Sequence, residues 1–269
     1  MADEKKVIKK VPEKKVVKTP KQEMPSLEDL LEAGAHFGHS TKRRHPKMDQ
    51  YVYAIKNGVQ IFDLVKTKSQ LAKACEYLTD VVGKGKTVLV MGTKGQAVEI
   101  VRTESVRIGI PYVVNRWVGG LLTNWNEIKK RVSKLETMRT KMEAGDYAKY
   151  TKKEQVLLKR EIERLERMYG GLVGLKKVPD VIFIVDPTRE QTALRESFAR
   201  DVKIVAICDS NADPEGIEIV IPANDDALKT VEMLVEHVMK AIELGMKKSG
   251  AAKKVVKPVV KKEVKKEGK

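Results

Sequence analysis

Short aliphatic runs recur along this chain, and they constrain the fold more than any other feature of the sequence. Five of them have strand length: TVLVM (87–91), PYVV (111–114), PDVIFIVD (179–186), VKIVAICD (202–209) and IEIVIP (217–222). Segments with the apolar spacing of amphipathic helices lie between several of these runs. Strands that are apolar on both faces are buried on both faces, as in a parallel sheet covered by helices. The sequence therefore predicts an α/β fold.

Residues 123–170 break this alternation, because no strand-like run occurs there. Their apolar residues fall three or four positions apart, in two groups separated by the polar turn AGDYAKYT. The groups are Ile128, Val132, Leu135, Met138 and Met142, and then Leu158, Ile162, Leu165 and Tyr169. Such narrow seams predict an antiparallel coiled-coil hairpin, inserted into the α/β domain. Its net charge of +5 suits contact with RNA, although a solvated structural arm is the alternative.

The formal charge of +16 is concentrated at the two ends of the chain. Residues 1–24 carry a net +4 and residues 246–269 a net +8, in low-complexity lysine–valine–proline sequence. We predict that both tails are disordered, because their valines are too few and too interrupted by charge to form a core. The α/β domain is then assigned to residues 25–122 and 171–245. So large a basic surplus favours a polyanionic partner such as nucleic acid.

Two local signals predict how particular elements begin and end. Asn57-Gly58 lies in an alternating segment, 51–67, and this dipeptide favours a β-hairpin. Near the end of the chain, Asn224 is the predicted N-cap of the closing helix, with two aspartates in its first turn. Gly245 is the predicted end of that helix.

The stretch GAHFGHSTKRRHPKM, residues 34–48, holds three of the four histidines of the chain. His36 and His39 have the spacing H-x-x-H, but zinc usually takes three or four ligands and no cysteine is near. We therefore predict no metal site, and packing of the first half of the stretch against the sheet. The second half is predicted to be exposed and to contact RNA, with His45 stacking or donating a hydrogen bond. The predicted RNA-binding residues of this stretch are Lys42, Arg43, Arg44, His45 and Lys47.

Two further segments contribute candidate RNA-binding residues. In VLVMGTKGQA (88–97) a glycine-containing turn precedes a helix, and Lys94 is predicted to reach an RNA phosphate. In NRWVGGLLTNW (115–125), Arg116 and Asn124 are predicted to contact the backbone of a partner, while the two tryptophans pack the base of the hairpin. Both Asp186 and Asp209 end strand-like runs, where a catalytic acid or a Mg²⁺ ligand is conceivable. We favour a turn-forming role for them.

No catalytic motif stands out: the nucleophile elbow, C-x-x-C and HExxH patterns do not occur. The chain is therefore predicted not to be an enzyme and to need no cofactor. A phosphate- or nucleotide-binding α/β enzyme, built on the turn at 92–95, is the alternative. Cys75 and Cys208 are predicted to be reduced and buried, as in a cytoplasmic protein, and no apolar run approaches the length of a membrane span.

Several of these motifs, taken together, resemble the bacterial small-ribosomal-subunit protein two family. The matching stretches are LLEAGAHFGHSTKRRHPKMDQYVYAIKNGVQIFDLVKT, VLVMGTKGQA, NRWVGGLLTNW and PDVIFIVDP…VAICDSNADPEGIEIVIPANDDA. They span about residues 26–245 in the order that the family has. The tails, and the basic Arg44 and His45, depart from the family pattern.

The resemblance implies a flavodoxin-like parallel sheet with an inserted helical hairpin. It also implies a structural protein of the small (30S) ribosomal subunit, which binds 16S rRNA on the solvent side between head and body. Neighbouring small-subunit proteins are implied as partners, among them the large mRNA-gathering protein of that subunit where the organism has one. Neither a membrane nor DNA is expected as a partner, and no catalysis is implied.

Overall fold

The computed structural model of the chain describes residues 23–250. The helices in this range are α1 (Leu27–Glu32), α2 (Leu64–Gly83), α3 (Gly95–Ile108), α4 (Trp125–Glu143), α5 (Lys152–Tyr169), α6 (Gln191–Ala199) and α7 (Leu228–Ser249). The strands are β1 (Phe37–Ser40), β2 (Val52–Lys56), β3 (Val59–Phe62), β4 (Val88–Met91), β5 (Tyr112–Val113), β6 (Val181–Val185), β7 (Lys203–Cys208) and β8 (Ile219–Pro222). Both predicted tails lie mainly outside the described range.

Within that range, the main sheet has five parallel strands in the order β5-β4-β6-β7-β8. If these five strands are numbered 1 to 5 along the chain, starting at β4, their order is 2-1-3-4-5, which is the flavodoxin-like arrangement. Side chains alternate between two cores: Ile182 and Ile184 pack on one side of the sheet, and Val181, Phe183 and Val185 on the other. Helices cover both faces, so the aliphatic runs are buried as the sequence predicted. The predicted fold class is confirmed.

A smaller antiparallel sheet, in the order β1-β3-β2, precedes the main sheet. Asn57 and Gly58 connect β2 to β3 with φ values of 53° and 74°, which is the left-handed backbone that a tight hairpin turn requires. The predicted hairpin is therefore present, but it is shorter than residues 51–67. Asp63 ends it, because its carboxylate accepts hydrogen bonds from the amides of Val65 and Lys66 and caps α2.

Helices α4 and α5 follow each other without a strand between them, and they share a buried apolar seam. Ion pairs join the two helices, with 3.2 Å between Lys134 Nζ and Glu161 Oε1 and 2.7 Å between Arg139 Nη2 and Glu166 Oε1. Both predicted helices are thus present. Their antiparallel coiled-coil geometry, and the bounds 123–170 of the insertion, stay predictions.

The closing helix α7 differs from its prediction at both ends. Its N-cap is Ala227, not Asn224. The Asn224 carboxamide does accept a hydrogen bond from the amide of Asp226, as a cap would, but this bond closes a turn before the helix. Gly245 does not end the helix, which continues to Ser249 and so includes part of the predicted C-terminal tail. Gly245 instead allows close packing on α2, since a Cβ atom there would lie 2.7 Å from the Thr79 carbonyl oxygen.

Among the described residues, none of the helices combines the length and the apolar character that crossing a membrane requires. Both cysteines are buried free thiols, as predicted.

Candidate nucleic-acid interface

The predicted RNA-binding stretch is an exposed segment held in place at several points. Short 3-10 turns at Thr41–Arg43 and Pro46–Tyr51 form it. The amide of Thr41 donates to the Gly58 carbonyl oxygen over 2.9 Å, and the amide of His45 donates to the Ser210 carbonyl oxygen over 2.8 Å. Met48 is fully buried in the core. The segment is therefore fixed on the folded domain before any partner binds.

The cations of this basic segment, residues 42–47, differ in how far their charge is already compensated. Lys42 and Arg43 are exposed, and within residues 23–250 neither forms an ion pair. Arg44 lies 3.8 Å from Asp49, but both groups are about 45% exposed, so water screens this pair. Lys47 contacts the Glu215 carboxylate directly. Lys42, Arg43 and Arg44 are thus the cations most available to a polyanion.

His45 is less accessible than predicted. Its Nε2 atom lies 3.9 Å from the Asp213 carboxylate, and its side chain is 30% exposed. Its Nδ1 atom is buried and has no hydrogen-bond partner among the described residues. Because one edge of the ring faces inward, a stacking role with RNA is not supported by this geometry. Contact through the exposed Nε2 edge stays a prediction.

Lys94 lies in a cluster of carboxylates at the carboxyl ends of the sheet strands. Its ammonium nitrogen is 2.7 Å from Asp225 Oδ1, 2.5 Å from Asp226 Oδ1 and 3.7 Å from Asp186 Oδ2, and its side chain is 12% exposed. Burial alone would lower the pKa of Lys94, but the hydrogen bonds to Asp225 and Asp226 raise it. The charge of Lys94 is neutralised inside the protein. We therefore leave Lys94 out of the proposed interface.

His39 belongs to the same cluster. Its Nδ1 atom lies 3.1 Å from Asp209 Oδ2 and its Nε2 atom 3.5 Å from Asp226 Oδ2. The hydrogen bond to Asp209 raises the pKa of His39. Burial raises the pKa of Asp225 to about 7, and the charges of Asp186 and Asp209 act in the same direction.

Four side chains of this cluster have the spacing of metal ligands, which the H-x-x-H pattern alone did not reveal. Atoms of His39, Asp209, Asp225 and Asp226 lie within 4.8 Å of one another. His36 instead packs on the ring of Phe37, with 4.0 Å between the ring centroids. The ammonium of Lys94 already supplies a positive charge to these carboxylates. The absence of a metal site stays a prediction.

Asp186 and Asp209 also stabilise the turns that follow their strands. Asp186 Oδ1 accepts a hydrogen bond from the amide of Thr188 over 3.1 Å. Asp209 Oδ1 accepts bonds from the amides of Ser210, over 2.5 Å, and His39, over 3.2 Å. These bonds support the turn-forming role favoured from the sequence.

Arg116 and Asn124 lie on the loop before α4, and both are exposed. β5, which precedes this loop, is an edge strand, whereas the basic segment bonds to Ser210 after β7. Since β4 and β6 lie between those strands, about 14 Å of sheet separates the two regions at about 4.8 Å per strand. The structure therefore places the predicted residues in two separate patches.

A buried carboxylate, missed by sequence reasoning, holds this loop. Glu196 on α6 accepts hydrogen bonds from Trp117 Nε1 (2.9 Å) and from the amides of Gly120 (2.8 Å), Leu122 (3.0 Å) and Thr123 (3.2 Å). Burial raises the pKa of Glu196, but these bonds outweigh that effect and lower it. The sequence does contain a signal for its burial: Glu196 follows the apolar Ala193 by three residues, so the two share a helix face.

The fold and the candidate site define a class: a flavodoxin-like α/β protein with two added helices and an exposed basic segment. Comparison with known proteins then identifies the family. The family described as ribosomal protein S2 matches residues 30–245. Among similar proteins, the small ribosomal subunit protein uS2 of Petrotoga mobilis is 46% identical over 217 residues, which cover 81% of this chain and 75% of that protein.

The protein of the same name from Prochlorococcus marinus strain MIT 9515 is 43% identical over 230 residues, which cover 86% of this chain and 98% of that protein. The protein from strain AS9601 is 42% identical over 229 residues, covering 85% and 98%. The chain therefore belongs to the ribosomal protein S2 family.

Proposed function

We propose that this chain is a structural constituent of the small ribosomal subunit and binds 16S rRNA there, without catalysing a reaction. Its relatives carry the name small ribosomal subunit protein uS2. The observation that supports RNA contact is the uncompensated charge of Lys42 and Arg43 on a segment fixed by hydrogen bonds. Arg44, Arg116 and Asn124 complete the proposed interface.

The proposed mechanism is recognition of RNA shape and charge. Folded RNA presents phosphates and 2′-hydroxyl groups on irregular surfaces, while the bases of its duplexes are hidden in a deep, narrow major groove. Arginine and lysine contacts with phosphates fix the register of the protein on the RNA. Each contact releases condensed counterions, so the affinity falls steeply as salt is added. Neighbouring small-subunit proteins are proposed partners, including the large mRNA-gathering protein where it occurs.

The alternative is a nucleotide-binding enzyme. The charged side chains between β4 and β6, where the strand order of the sheet reverses, disfavour it. A flavodoxin-like sheet binds its ligand there, but Lys94 and Asp186 fill this position, with Asp225 and Asp226 beside them. Carboxylates repel phosphate. In a thermal-shift assay with saturating nucleotides we expect no stabilisation, whereas a bound native-state ligand would raise the melting temperature.

The experiment that tests RNA contact compares two cations of the same segment. Arg43→Gln removes an uncompensated charge, while the control Lys47→Gln removes a charge already paired with Glu215. We expect Arg43→Gln to weaken binding to 16S rRNA and to reduce the slope of log K against log salt by roughly 0.7–0.9. The control should change both quantities less.

A second comparison uses incorporation into the subunit. Reversing the charges of Arg43 and Arg44 should weaken incorporation more than deleting residues 251–269. The segment is fixed in advance, whereas a tail that the sequence predicts to be disordered must be ordered on binding. Equal effects of the two changes would contradict this reasoning.

A further inference from the structure

Tyr53 is a large aromatic residue that packs on little of the described part of the chain. Its side chain is 79% exposed, the highest value among the large apolar and aromatic residues of the described range. No side-chain hydrogen bond or ring contact within residues 23–250 involves it. It lies on β2, an edge strand of the small antiparallel sheet. An aromatic ring presented in this way is accessible to a partner.

The backbone at Tyr53 is shaped by a β-bulge. Val52 pairs with Phe62, but Ala54 pairs with the next residue of β3, Ile61. Tyr53 is therefore the extra residue on its strand. Bulges of this kind redirect a side chain and occur at sheet edges and near functional sites. The pairing on either side of the bulge fixes the backbone from which the ring projects.

Cations without carboxylate partners in the described range lie towards the hairpin end of this sheet, about 10 Å along β2 from Tyr53. Lys56 ends β2, three residues beyond Tyr53, and it is exposed and unpaired within the described part of the chain. Lys56 pairs with Val59, and Val59 pairs with Ser40 on the far side. The basic segment begins at Lys42, two residues after Ser40. Two strand spacings, about 10 Å, therefore separate Lys56 from Ser40.

We propose that Tyr53 is a stacking platform for an unpaired base of single-stranded RNA, whose phosphates contact Lys56, Lys42 and Arg43. An exposed aromatic residue among cations is the arrangement by which proteins hold single strands. In an RNA duplex the bases are stacked on each other, so this platform distinguishes unpaired from paired RNA. The proposal deepens the proposed function and rests on it.

An apolar partner protein is the rival occupant of this surface. The charge distribution favours RNA, because Lys42, Arg43 and Lys56 lack carboxylate partners in the described range. Ile55, 54% exposed, is the other large apolar side chain that β2 exposes.

The test measures fluorescence anisotropy of the full-length chain with two labelled RNAs of equal length, one unstructured and one in a duplex. Tyr53→Ala should weaken binding to the unstructured RNA by about 5- to 160-fold, the range for one stacked base, and change duplex binding by less than about 2-fold. Tyr53→Phe should retain the affinity, because the ring remains. Tyr53→Leu should lose it, and Ile55→Ala on the same strand is the matched control.

The outcomes separate the two proposals. If the wild-type chain binds neither RNA, the proposed function fails. If the chain binds RNA and Arg43→Gln weakens binding, but Tyr53→Ala has no effect, only the stacking proposal fails. Full affinity of Tyr53→Leu would also overturn stacking, since it would show that size alone matters. Unchanged RNA binding with reduced subunit incorporation by Tyr53→Ala would assign the residue to a protein contact instead.

Discussion

Replacing Glu196 with alanine should destabilise the fold more than any surface substitution in this chain. The carboxylate accepts five hydrogen bonds, from Trp117 Nε1, three backbone amides and the Thr123 hydroxyl. Alanine leaves all of these donors without their partner. Two of them, Trp117 Nε1 and the Leu122 amide, are in buried contacts that water does not easily replace.

An unsatisfied buried donor costs about 1–3 kcal/mol, so these two donors alone give about 2–6 kcal/mol. The three partly buried donors can recover hydrogen bonds from water and add less. We expect a loss near 4 kcal/mol in the free energy of unfolding, a large share of the roughly 5–15 kcal/mol of a typical domain. Glu196→Gln should cost less, since its amide keeps one acceptor oxygen.

Urea denaturation followed by tryptophan fluorescence suits this test, because both tryptophans, Trp117 and Trp125, lie beside the loop that Glu196 holds. Circular dichroism provides the second probe. Glu163→Ala on the exposed face of α5 is the control and should change stability by no more than about 0.5 kcal/mol. A loss below about 1 kcal/mol for Glu196→Ala would refute the claim that this carboxylate fixes the loop.

The pH dependence of the same residue supplies an independent check. Because the folded-state pKa of Glu196 is lowered, its stabilising effect is complete above the unfolded-state pKa and is lost as pH falls through the folded-state pKa. The stability difference between wild type and Glu196→Ala should therefore shrink in acid.

Three further predictions follow from packing, ionisation and metal binding. Gly245→Ala should lower the free energy of unfolding by about 1–3 kcal/mol in urea denaturation, because the added Cβ atom would meet the backbone of α2. Gly95→Ala is the control: no atom lies within 4 Å of its Cβ position, so it should not destabilise the chain. The raised pKa of Asp225 means that the folded state binds the extra proton, so stability falls as pH rises from about 4 to about 7. Asp225→Asn should reduce that fall, and an identical pH profile for the two proteins would contradict the assignment. Elemental analysis of the purified chain should find no stoichiometric metal, and one equivalent of zinc would overturn that prediction.

The main sheet could be predicted from sequence because each of its strands is determined by the residues of that strand alone. The aliphatic runs of β6 and β7, for example, are buried on both faces of the sheet, and such a run is recognised as a strand from its sequence. The hairpin turn at Asn57-Gly58 is equally local, since two residues with positive φ determine it. Such elements need no knowledge of distant parts of the chain.

The sequence predictions differ from the structure where residues far apart in the sequence contact each other. Lys94 looked like a free cation because its partner Asp225 lies 131 positions later in the chain. The closing helix also begins later than its local capping signal suggested, because the turn at Asn224 ends before the helix starts. Glu196 was missed for a similar reason, since its hydrogen-bond partners lie 73–79 positions away.

The exposed basic segment was predicted from composition, but not the differences among its residues. Nothing in the local sequence shows that Glu215 compensates Lys47 while Arg43 has no acidic partner within residues 23–250. Tyr53 likewise reads as one residue of an alternating strand. Only the register of β2 against β3 shows that it occupies a bulge.

Sedimentation of a cell lysate through a sucrose gradient in magnesium-containing buffer tests the central claim most directly. We predict that the chain sediments with small ribosomal subunits and leaves them as salt is raised, because the proposed contacts with RNA phosphates weaken with salt. A chain that stays in the soluble fraction at all salt concentrations, and never sediments with small subunits, would contradict the account.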